Sequence, residues 1–61
     1  MYEIYCKSTS GDELTIDIIN REYAFTTFMR IINAVDIVVA HMLDGLTGEI
    51  IHSFSNGKVQ F

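Results

Sequence analysis

Asp36-Ile37-Val38-Val39-Ala40-His41-Met42-Leu43 is the stretch that decides the fold. It is too rich in β-branched residues and too continuously apolar to extend a one-sided helical pattern, so it reads as a strand. Under regular alternation Ile37, Val39, His41 and Leu43 point one way and Val38, Ala40 and Met42 the other. Neither set is polar. A monomer with one helix over its sheet needs only one apolar face, so this strand has one more than it needs.

The residues just upstream have a different period. Ala24, Phe25, Phe28, Ile31, Ile32 and Val35 share one arc at about 100° per residue, with Thr26, Arg30 and Asn33 opposite. Asn20 is suited to cap this helix and Glu22 to its positive first turn, which predicts a helix over residues 21–33 whose stripe is core. Earlier still, Tyr2, Ile4 and Cys6 alternate with Glu3, Tyr5 and Lys7, and Leu14, Ile16 and Ile18 with Thr15, Asp17 and Ile19. With Ser8-Thr9-Ser10-Gly11-Asp12 between them, these segments read as a β-hairpin.

Downstream, Asp44-Gly45-Leu46-Thr47-Gly48-Glu49 is a tight connection in which Asp44 can accept from the turn backbone and Gly48 can take positive φ. Ile50, His52 and Phe54 resume alternation, Asn56-Gly57 is a type I′ hairpin signal, and residues 58–61 complete a last strand. The expectation is a single α+β domain over residues 1–61, in the order β-β-α-β-β-β, with an antiparallel sheet of order 2-1-3-4-5 and one helix on one face.

Composition bounds the function. The chain has 61 residues, 49% of them hydrophobic and 20% charged, which is the make-up of a folded domain. Apolar burial contributes roughly 85 kcal/mol at ~25 cal/mol per Å², against about 90 kcal/mol for ordering the chain. Domains so balanced lean on a disulfide, a metal or a partner subunit. Cys6 is the only cysteine, so no internal disulfide can form. Association is the favoured remedy, with the chain itself as the first expected partner.

The formal charge is −4, and Lys7, Arg21, Arg30 and Lys58 are scattered, so direct nucleic-acid binding is not expected. The eight carboxylates are spread too, as in ordinary solvation rather than as a mimic of DNA charge. No apolar run approaches the ~20 residues of a membrane span, and Met1-Tyr2-Glu3-Ile4-Tyr5 does not begin like a signal peptide. The expected location is the cytoplasm, with no membrane partner.

Chemical constellations are few. If residues 45–48 form a four-residue loop, Leu43 faces Ile50 and His41 comes opposite His52, a pair that with one carboxylate could hold a divalent metal; the alternative is a cross-strand pair of partly buried histidines, or a different register. No metal or cofactor is assigned. Cys6 lacks a cysteine-enzyme signature and falls on the apolar side of its strand, and the glycines sit in turns, so enzyme activity is not expected. For the extra apolar face two readings stand: tolerated surface residues on a central strand, or an interface, assigned to Val38, Ala40, Met42 and Ile51, for a second copy or another protein.

Residues 20–54, a short capped helix, an apolar strand and the turn Asp44-Gly45-Leu46-Thr47-Gly48-Glu49 into a further strand, resemble small proteins encoded by bacteriophages and mobile elements of Gram-positive bacteria. The resemblance transfers no functional residue. It implies an inhibitor of host defence or host regulation that acts by binding a protein; joined to the expected self-association and the missing catalytic motifs, the reading is a homo-oligomeric, non-catalytic inhibitor of a host enzyme in the bacterial cytoplasm. The alternatives are a module for a small molecule or metal, and a small structural subunit of a larger complex.

Overall fold

The computed structural model describes residues 1–60. The elements are β1 (Tyr2–Ser8), β2 (Glu13–Ile18), α1 (Arg21–Ile32), β3 (Ile37–Asp44), β4 (Ile50–Ser55) and β5 (Lys58–Gln60). The strands form one sheet in the order β2-β1-β3-β4-β5, every neighbouring pair antiparallel. That strand order is the expected one. Residue 61, expected to close the last strand, lies outside the described residues.

Local chemistry sets the boundaries. Asn20 is extended and its side-chain oxygen accepts from Tyr23 N at 2.9 Å, which caps the helix; Asn33 ends it, with Val35 in the loop beyond, fully exposed rather than part of the buried arc. Asp44 Oδ1 accepts from Leu46 N at 2.8 Å and Gly48 takes φ 75°, closing the β3–β4 connection. Asn56 and Gly57 have φ of 52° and 78°, as a type I′ turn requires.

The expectation of an α+β fold is corrected, and so is the assignment of an interface to Val38, Ala40 and Met42, which requires the helix to lie on the opposite face of β3. The molecule is mostly sheet, its strands of 7, 6, 8, 6 and 3 residues outweighing one helix of 12. The helix lies instead on the face of Ala40 and Met42. Ala24 and Phe28 of α1 are fully buried with Ile4, Ala40 and Met42, and Cys6, Ile18 and Phe54 complete the core.

The pairing of β1 with β3 gives the reason. Ile4 pairs with Met42 and Cys6 with Ala40, whereas Glu3 pairs with Leu43 and Lys7 with Val39. Paired residues share a face, so the charges of β1 carry Leu43 and Val39 to the side away from the helix. A register shift at Lys7/Ser8 then pairs Ser8 with Ile37, leaving Val38 as an extra residue and returning Ile37 to the core side.

Candidate interaction face

Three rows of paired residues cross the uncovered face of the sheet. Asp17, Glu3, Leu43 and Ile50 form the first, Thr15, Tyr5, His41, Ser53 and Gln60 the second, and Glu13, Lys7, Val39, Ser55 and Lys58 the third. Among the described residues no chain element covers these rows. Their centre is nevertheless half-buried, at Tyr5, Val39, His41, Leu43 and Ser53, because each side chain shades its cross-strand neighbours.

Tyr5 and His41 stack across the β1–β3 pair with centroids 6.0 Å apart and planes 16° from parallel. The Tyr5 hydroxyl donates to Glu13 Oε2 at 3.1 Å. Desolvation, and then this bond to a carboxylate, raise the Tyr5 phenol above its usual value, so it stays a donor at neutral pH. His41 Nδ1 is closed off from solvent and has no hydrogen-bond partner among the described residues. The face is apolar and aromatic along β3, of mixed charge on β1 at Glu3 and Lys7, acidic on β2 at Asp17 and Glu13, and basic at Lys58 on the β5 edge.

The residues expected to form an interface lie elsewhere. Ala40 and Met42 have no exposed surface and belong to the core beneath α1, a correction that follows from their pairing with Cys6 and Ile4. Val38 and Ile51 are half-buried and occupy the two register irregularities, so neither belongs to a paired row. The residues that do form the uncovered centre, Tyr5, Val39 and Leu43, were missed. Their signal was the charge alternation of β1, which labels the exposed face only once its register against β3 is known.

Of the two readings of the histidines, the structure supports a register other than the one that would set His41 opposite His52. Leu43 pairs with Ile50 as anticipated, but a register shift between Met42 and Leu43 makes Ile51 the extra residue. Met42 therefore faces His52, and His41 faces Ser53. One extra residue inverts parity, which puts the two imidazoles on opposite faces of the sheet. Among the described residues no three of His, Cys, Asp and Glu converge as a metal site would require.

His52 lies against α1, its ring 5.1 Å from that of Phe25 and 5.9 Å from that of Phe28. Burial, and then the positive charge of Arg21, lower its pKa. Cys6 is a buried free thiol, raised by desolvation and then by the charge of Asp36, so it is a poor nucleophile. Among the described residues no helix is long and apolar enough to cross a membrane.

These features define a small, mostly antiparallel five-stranded sheet protein with one helix on one face and a mixed apolar and charged surface on the other. Comparison with known proteins finds no matching family model, no matching curated relative and no matching solved structure.

Proposed function

We propose that this chain is a non-catalytic protein-binding module that acts as a homo-oligomer, and that it inhibits a host defence or regulatory enzyme in a bacterial cytoplasm. The observation that supports this reading is the uncovered sheet face, where Val39 and Leu43 flank the Tyr5–His41 stack with no element of the described residues over them. An apolar and aromatic centre with a charged rim is the make-up of protein–protein interfaces. The host-enzyme partner comes from the resemblance to small phage and mobile-element proteins.

The reading is tested with tagged protein expressed in a bacterium, comparing the wild type with Val39→Glu. Expected is a host enzyme recovered in stoichiometric amount by the wild type and not by the variant, and inhibited by the purified wild-type protein. A stoichiometric metal or small molecule with no associated protein would overturn it.

A further inference from the structure

The layout of the uncovered face fits a second copy of itself. Val39, His41 and Leu43 lie along the middle strand of the five, Glu13 at the β2 edge and Lys58 at the β5 edge of one row, and Asp17 at the β2 edge of another. We propose that two copies stack these faces about a twofold axis running along β3, an inference that rests on the protein-binding reading above; the host enzyme then meets the assembled dimer outside the stacked faces, and Val39→Glu loses it by preventing assembly.

That axis exchanges the β2 and β5 edges and keeps each row over itself. Val39, His41 and Leu43 then meet the same residues of the second copy, and Glu13 falls over the partner's Lys58 on both sides of the axis. A twofold axis running across the strands instead sets Asp17 over the partner's Glu13 and Glu3 over the partner's Lys7, so that repulsion and attraction offset each other, whereas the first arrangement has the Glu13–Lys58 attraction with no like-charge contact. Charge thus favours the axis along β3.

Aligned sheets pack about 10 Å apart with strands turned by about 30°, which displaces the sheet edges by roughly 5 Å, a gap that Glu and Lys side chains span. Both Glu13 and Lys58 are exposed, and a carboxylate that accepts from Tyr5 still has lone pairs for an ammonium group. The Cα envelope measures 29 × 20 × 18 Å. The two longest extents bound the face at roughly 600 Å² in projection, below the ~800 Å² per partner of a standard interface, so the dimer expected is a weak one that needs the upper concentrations to form.

Sedimentation equilibrium at low salt, over micromolar to millimolar concentrations, tests the geometry. Expected is a wild-type mass near twice the 6.9 kDa of the chain at the upper concentrations. Lys58→Glu and Glu13→Lys should each weaken the dimer about five-fold or more, because each reversal creates two like-charge contacts, and the double variant should return to within about two-fold of wild type. Glu13→Gln, which keeps an acceptor for Tyr5, should also weaken it. Each variant should keep the wild-type circular dichroism spectrum. A monomer at every concentration overturns the stacking and with it the homo-oligomeric part of the reading above, and the host-enzyme assay with Val39→Glu then judges the protein-binding part separately. A dimer indifferent to the single reversals, or not rescued by the double one, overturns it as well.

Discussion

The imidazole of His52 meets the ring of Phe25 edge to face, with 5.1 Å between centroids, on the side of the sheet that α1 covers. A strand residue that alternation alone would pair with His41 is thereby part of the helix–sheet contact. Protonation at that position acts on the fold.

Burial, then Arg21, holds His52 below the usual imidazole value, so the folded state favours the neutral ring. As pH falls the unfolded chain takes up this proton first. The stabilisation is complete above about pH 6.5 and is lost as pH drops below that value toward the folded-state pKa. Urea unfolding between about pH 8 and pH 5 should therefore show the wild type losing more stability than His52→Gln. Parallel curves for the two proteins would show that His52 does not set the acid response.

Phe28 is fully buried and faces the sheet from the centre of α1, whereas Thr26 is exposed. Phe28→Ala removes a ring around which Ile4 and Met42 pack, and should cost about 3–5 kcal/mol. For 61 residues that approaches the whole stability, roughly 3–9 kcal/mol. Thr26→Ala should change stability by less than ~0.5 kcal/mol. Equal losses in denaturant titrations would mean that the helix is rotated from the orientation described.

The cap is a separate contribution. Asn20→Ala removes the acceptor for Tyr23 N and should cost about 1 kcal/mol, while Asn20→Asp should retain most of the wild-type stability. Thermal melts of the three proteins would show it, and an Asn20→Ala melt equal to wild type would mean that water replaces the cap at no cost.

Most of the architecture was legible because period and turn chemistry agreed. The hairpin of β1 and β2, the capped helix and the Asn56-Gly57 turn each combine a pattern with a boundary residue. The face of β3 was not legible, for a physical reason: with apolar residues on both sides, the strand does not say which side is buried. Its orientation is set by Glu3 and Lys7 on a neighbouring strand. The register shifts that set aside Val38 and Ile51 depend on pairing too, and they undid both the His41–His52 pair and the expected interface. Ile37 joined the core for the same reason.

The exchange of faces is tested most directly at two adjacent residues of β3. Met42 has no exposed surface and packs under α1, while Leu43 pairs with Glu3 and Ile50 on the uncovered side. A carboxylate at position 42 would enter the core with no cation among its packing neighbours Ile4, Ala40 and Phe28, at a cost on the order of 4 kcal/mol or more. Met42→Glu should therefore be largely unfolded by circular dichroism at neutral pH. At position 43 the carboxylate can reach water, so Leu43→Glu should keep the native spectrum, lose roughly 1 kcal/mol of stability through reduced shielding of its neighbours, and weaken self-association by setting like charges against each other at the proposed axis. If Leu43→Glu unfolds and Met42→Glu does not, the helix lies on the Leu43 side and the assignment of faces is wrong. If both fold and Leu43→Glu still associates as wild type does, the contact surface must lie away from β3.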